Sequence, residues 1–198
     1  MTDSAVLKVN YGDMPGMDKK TQLFFKNLEW GINLKSNTMY LTYEIEQDTL
    51  YAVMTRFDNF VQHNRDQDIN LNLSSYGGDV YSMLGIIDYF ETLPVDVNTH
   101  CIGACMSAAA VILACGTGTR TMTANSTVMV HEGSAFESGK TSDVLKGADH
   151  LKKLQSNINR IMAEVTNKDQ KFWERVSQHD TYLTADECLD YGIVDEII

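Results

Sequence analysis

Basic residues are scarce in this chain: 16 Lys and Arg stand against 27 Asp and Glu among 198 residues, a formal net charge of -11. That balance repels phosphate backbones and acidic membrane surfaces, and no local cluster of Lys and Arg overrides it. Nucleic acid is therefore not an expected partner. Long hydrophobic runs are missing too. The longest, Cys101 to Cys115, is too short and too rich in small residues to span a bilayer, and the opening MTDSAVLKVNYGD lacks the basic-then-apolar pattern of a secretory signal. The expected setting is cytoplasmic, with no membrane contact. Cysteines number only four (Cys101, Cys105, Cys115, Cys188), none at paired metal-ligand spacing. Three of them lie in the apolar run, where a thiol behaves as a small hydrophobe. They read as reduced and structural, and neither a metal nor a cofactor is expected. Repeats and low-complexity tracts are also absent.

What is present suits one domain: 43% hydrophobic and 22% charged residues over a length that can bury a sizeable core. Residues 1–36 show no clear periodicity and read as an N-terminal arm or loop; residues 37–198 read as a single domain. TMYLTYEI alternates as a strand, and Leu50, Val53, Phe57 and Phe60 recur at helical spacing before the strand INLNL. A Gly77-Gly78 turn follows, then a helix carrying Val80, Met83, Leu84, Ile87 and Phe90. VDVNT is another strand, AAAVILA a helix, and RTMT and TVMVH are short β segments. Strands alternating with helices predict an α/β fold, whose functional groups gather at the carboxyl ends of the strands. Residues from Thr141 to about 166 predict one long helix capped by Thr141 or Ser142. TADE at Thr184 to Glu187 is a capping box for a last helix that stops at Gly192.

One hydroxyl, Ser107, sits within HCIGACMSAAAVILACG, an otherwise small and apolar stretch. Alone it reads as packing. Serine hydrolysis needs a nucleophile, a base, a carboxylate that orients the base, and N–H donors for the oxyanion. The chain offers each: Ser107, then His131 at the end of TVMVH, and Asp180 ahead of an apolar pair and a capped helix. Gly78 can present an N–H with no side chain in the way, and the N–H of Ala108 directly follows the nucleophile. On chemistry alone His63, His100, His150 and His179 compete as bases, and Cys105 competes as nucleophile.

These contexts resemble one family. INLNLSSYGGDV is similar to the strand and S-P-G-G turn of the Clp protease proteolytic subunit, peptidase family S14, and THCIGACMSAAA to its G-x-A-A-S-M-G-A nucleophile turn. NSTVMVH resembles its N-S-R-x-M-I-H-Q-P base segment, and TYLTADECLDYGIVDEII its closing F-L-S-A-x-E-A-x-x-Y-G-L-V-D-x-I. The spacings, 29 residues from Gly78 to Ser107, 24 to His131 and 49 to Asp180, need no insertion. The resemblance implies a crotonase-like, Clp-type spiral of ββα units with a protruding handle helix at about 141–166. It implies a serine endopeptidase working through an acyl-enzyme, with Ser107 as nucleophile, His131 as base, Asp180 as orienter, and Gly78 with Ala108 as oxyanion hole. It further implies a homo-oligomer of heptameric rings stacked in two, acting on peptides or unfolded proteins.

Departures from the pattern matter as well. Ala109 stands where the family has Gly, Tyr76 replaces the turn proline, Met106 crowds the approach, and Glu132-Gly133 replaces Gln-Pro after the base. Gln178 and His179 precede Asp180 where the family has an Arg that helps lock two rings together, which leaves ring pairing open. The positions that form apolar pockets for an ATPase unfoldase align with Asn70, Asn72, His100, Thr121 and Thr123, all polar. Losing several apolar contacts of roughly 1.5 to 3 kcal/mol each removes most of such a docking energy, so coupling to the usual unfoldase is not expected. Such a face suits a specialised or virus-encoded relative. The alternative reading is a catalytically silent assembly or scaffold protein of the same fold.

Overall fold

Residues 69–75, INLNLSS, show how the sheet is built: Ile69, Leu71 and Leu73 are fully buried on one face while Asn70 and Asn72 turn to the other. The computed structural model describes residues 18–134 and 138–198. In chain order the elements are α1 (Lys19–Glu29), β1 (Ile32–Asn33), β2 (Thr38–Leu41), α2 (Gln47–His63), β3 (Ile69–Ser75), α3 (Val80–Phe90), β4 (Val97–Met106) and α4 (Ala108–Ala114). They continue with β5 (Arg120–Met122), β6 (Thr127–Val130), α5 (Thr141–Val165), α6 (Gln170–Val176), β7 (Thr181–Leu183), α7 (Ala185–Tyr191) and β8 (Glu196–Ile197). The fold is α/β, as expected, and no helix among the described residues is long and apolar enough to cross a membrane.

The strands run in the order β1-β2-β3-β4-β5-β8, parallel except for β1, and β6 branches from β4 and pairs antiparallel with β7. The branch exists because β4 changes partner midway. Its residues 99–101 pair with β5 and its residues 104–106 with β6. Gly103, at φ +80, makes the break, and the buried Ser126 fastens it by accepting from the Gly103 N–H at 2.8 Å and donating to Cys101 O at 3.2 Å. Helices cover the apolar face. Phe57 of α2 stacks on Phe90 of α3 at 5.9 Å between ring centroids, and every residue of α4 is buried.

Two expectations need correction. Part of the predicted arm is ordered structure: α1 and β1 occupy residues 19–33, with Ile32 opposite Met39 of β2. Phe24 and Leu28 of this helix are both more than half exposed. The arm up to residue 17 lies outside the described residues. The long helix is in place, but its N-cap is Lys140, without a side-chain cap; Thr141 and Ser142 already lie inside it. The predicted capping box of Thr184 and Glu187 and the left-handed stop at Gly192 (φ +76) are present as read.

At 25 residues α5 is about 37 Å long, yet only Asn159 and Met162 are buried. Its far end is held to the body by Arg120, whose Nη1 donates to the carbonyls of Ala114, Val165 and Gly192. Arg120 Nε donates to Asp195, and this bond holds that carboxyl below its ordinary range.

Candidate active site

Three strand ends meet where β4, β6 and β7 adjoin. β4 stops at Met106, opposite Met129 of β6, and the Ser107 N–H continues the pairing by donating to Met129 O at 2.8 Å. The β6–β7 ladder runs Val128–Leu183, Met129–Tyr182, Val130–Thr181. The next rung of that antiparallel register is His131 opposite Asp180. Pairing between strands thus places side chains that are 49 residues apart in the chain on facing positions.

Ser107 Oγ lies 2.8 Å from His131 Nε2, and His131 Nδ1 lies 3.5 Å from Asp180 Oδ1. Tautomer assignment follows from the neighbours: the proton sits on Nδ1, toward the carboxylate, and Nε2 accepts from the hydroxyl. The histidine side chain is 28% exposed and the aspartate 63%. Ser107 itself has φ +53 and ψ -124, an unfavourable conformation for a side-chain-bearing residue that lifts its hydroxyl out of the strand-to-helix turn. Small residues make this turn possible. Ala108, Ala109 and Ala110 are all buried and let α4 approach the sheet closely.

The glycine turn before α3 packs against Ser107. A Cβ on Gly77 would stand 2.7 Å from Ser107 Cβ, and one on Gly78 would stand 2.2 Å from Ile45 O. Both residues also have φ between +100 and +149, so glycine is demanded twice over. Ile45 pins the turn by donating to Gly77 O at 2.8 Å and accepting from Asp79 N–H at 2.6 Å. The two glycines differ in one respect: Gly77 N–H donates to Ser75 Oγ at 3.2 Å, whereas Gly78 N–H has no partner among the described residues. Ala108 opens α4, so its N–H has no acceptor within the helix.

Among the described residues His131 is the histidine bonded to Ser107; no bond joins His179 to Ser107, and the other competing groups have partners elsewhere. His63 Nδ1 pairs with Asn59 O, His100 Nδ1 with Thr121 Oγ1, and His150 Nε2 with Tyr81 Oη. Cys105 is fully buried, bonds Leu73 O, and burial drives its thiol well above the ordinary range, which removes it as a nucleophile. Behind Ser107 and His131 lies a recess of about 40 Å³ walled by Val80, Met83, Val111, Ile158, Met162 and Trp173. Ile158 and Met162 come from α5, so the long helix forms part of the site. The contribution of α5 to this wall is a feature that strand and helix patterns alone did not reveal.

A family model described as Clp protease matches residues 27–198. The chain belongs to the Clp protease family. It is a serine-type peptidase of family S14. The match begins ten residues before Asn37 and so takes in β1. The ATP-dependent Clp protease proteolytic subunit 2 of Frankia casuarinae is 32% identical over 166 residues, which cover 83% of this chain and 76% of that protein. In this Clp family member the outward sheet face is polar. Asn70, Asn72, His100 and Thr121 line one groove of about 430 Å³ together with Tyr40 and Ile198. Its polar groups bond one another: Asn98 Nδ2 donates to Asn70 Oδ1, Thr119 N–H to Asn98 Oδ1, and Asn70 Nδ2 to Ser36 O. Burial lowers the pKa of His100, whose Nδ1 pairs with Thr121 Oγ1. Thr123, grouped with these positions in sequence, is instead bonded to Ser126 and is not part of the groove lining.

Proposed function

We propose that this chain is a serine endopeptidase in which Ser107 is the nucleophile, His131 the general base, Asp180 its orienting carboxylate, and the N–H groups of Gly78 and Ala108 the oxyanion hole. The observation that carries this reading is the 2.8 Å contact between Ser107 Oγ and His131 Nε2, with Asp180 beside the opposite ring nitrogen. Ser107 Oγ attacks the scissile carbonyl carbon as His131 Nε2 takes its proton. The carbonyl oxygen becomes an alkoxide that accepts from the two unpartnered N–H groups. Collapse of this intermediate breaks the C–N bond, and His131 passes its proton to the leaving amine. Water, deprotonated by His131, then attacks the acyl-Ser107 ester and restores the hydroxyl. Asp180 steadies the imidazolium in both halves. Incubation with a fluorophosphonate probe, followed by mass mapping, is expected to label Ser107; an unlabelled Ser107 in the assembled protein would favour the silent scaffold instead.

The recess behind Ser107 holds the side chain on the acyl side of the cut bond. Its walls are mostly apolar and its free volume only about 40 Å³, so a small apolar side chain is the expected occupant. Met162→Ala is expected to open it and move the preference from alanine toward leucine or methionine by about tenfold in relative kcat/KM. A peptide library with varied residues at that position reads the shift, and an unchanged ranking would remove the recess from the specificity argument.

Assembly into rings of copies, stacked through α5, is the arrangement the family resemblance favours, and Leu145, 62% exposed on that helix, is an apolar group suited to such a contact. A cytoplasmic setting agrees with four cysteines that are all free. The self-bonded polar groove offers little to an apolar docking loop, because burying paired amides returns no hydrophobic energy. Degradation of a peptide is therefore expected to proceed at the same rate with or without a Clp-type ATPase and ATP. Tight co-purification with such an ATPase, or strong activation by it, would contradict this.

A further inference from the structure

The segment that carries His131 is anchored by a residue of the long helix. The β6–β7 ladder ends at Val130, and beyond it the main chain of residues 131–134 has one hydrogen bond among the described residues. Gly133 N–H donates to Gln155 Oε1 at 2.9 Å. Gln155 sits on α5, more than three turns from its start, and its Nε2 in turn donates to Asn159 Oδ1 at 3.0 Å. Gln155, Asn159 and Gly133 all border the recess behind Ser107.

Neither space nor backbone conformation demands a glycine at position 133. Its φ is not among the positive values, and a Cβ there would meet only Gln155 Oε1, at an ordinary 3.7 Å. What the geometry uses is the N–H. The motif that this segment resembles has proline at that position, which restrains φ through its ring and has no N–H to give. The relay also has a fixed direction. A backbone N–H can only donate, so Gln155 must turn Oε1 toward Gly133 and Nε2 toward Asn159, which accepts through Oδ1. Asn159, 5% exposed, is left with Nδ2 donors that have no partner among the described residues, on a residue that lines the recess.

We infer that Gln155 is a positioning residue for peptide hydrolysis: by accepting from Gly133 it holds the strand end that presents His131 to Ser107, and by donating to Asn159 it sets which face of that amide lines the recess. The inference rests on reading Ser107 and His131 as nucleophile and base. It gives α5 a direct hold on the base segment, distinct from its contribution to the recess wall. Removing one neutral hydrogen bond and loosening the base by a fraction of an ångström is expected to cost about tenfold in turnover.

The test compares Gln155→Met, which keeps the length and loses the acceptor, with Gln155→Glu, which keeps the acceptor. Measured on assembled protein of unchanged native mass, Gln155→Met is expected to lower kcat about tenfold with KM changed less than twofold, and to slow fluorophosphonate labelling of Ser107 by a similar factor. Gln155→Glu is expected to stay within about threefold of the wild type, because Gly133 retains its acceptor and Asn159 can turn its amide to donate Nδ2 to the carboxylate. A kcat for Gln155→Met within twofold of the wild type overturns the inference, as does a Gln155→Glu variant that loses as much as the methionine. If Gln155→Met does not assemble, Gln155→Asn, one methylene short of Gly133, takes its place with the same expectation. Wild-type protein that leaves Ser107 unlabelled overturns the nucleophile assignment and this inference together; a labelled wild type with equally fast labelling of the variant overturns this inference alone.

Discussion

Ser107→Ala is expected to lower peptide hydrolysis by at least about 10⁴-fold and to abolish fluorophosphonate labelling, with native mass and melting temperature close to those of the wild type. Alanine lacks the attacking oxygen, so no acyl-enzyme forms, and neither His131 nor the free N–H groups can replace it. The fold does not depend on the hydroxyl. Ser107 makes its structural contact through the main chain, N–H to Met129 O, and the carbonyl of residue 107 still receives Ala110 N–H at 3.0 Å. Its strained φ of +53 is carried by alanine as it is by serine. Loss of activity together with loss of assembly would mean that the residue is structural. Retained turnover would leave the nucleophile to be sought elsewhere.

Gly78→Ala is the second large effect, with kcat expected to fall about 10²- to 10³-fold through loss of one oxyanion donor. The new methyl group would lie 2.2 Å from Ile45 O, which accepts from Asp79 and is part of the bridge that pins the turn. Something has to move, and the mobile part is the turn, since Ile45 is fully buried. The N–H of residue 78 shifts with it. The φ of +149 adds strain of about 1–3 kcal/mol, visible as a lower melting temperature. Because Asp79 also caps α3 by accepting from Ser82 N–H, the displacement reaches the first turn of that helix. Turnover per labelled site separates the two effects. A variant that hydrolyses peptide within threefold of the wild type would exclude Gly78 as a donor.

Much of this site is legible in the chain. Alternation in INLNLSS, the helical spacing of Val53, Phe57 and Phe60, and the Thr184 to Glu187 cap are local patterns, and each corresponds to an observed element. Ser107, His131, Asp180 and Gly78 stood out by context and spacing, and the fold brings the first three into contact range. Less legible was β7, three residues long, whose TYL carries no periodicity of its own and is a strand only because β6 offers it an edge. Ser126 lies in NSTVMVH, where nothing local shows that it fastens the fork of β4. α1 lies within the stretch that reads as an arm, and its Phe24 and Leu28 are left exposed.

By itself the sequence determined the α/β alternation, the polar outward face and the set of residue types that serine chemistry requires, because side-chain periodicity and composition are properties of neighbouring residues. Motif context already points to His131 and Gly78; how closely His131 meets Ser107, that the Gly78 N–H stays unpartnered among the described residues, and how α5 enters the recess were decided only by the tertiary structure. Those facts depend on the register between strands far apart in the chain, on the switch of β4 from β5 to β6, and on where a long helix packs against α4 and α6. Register is a property of paired segments, and no local pattern in either segment contains it.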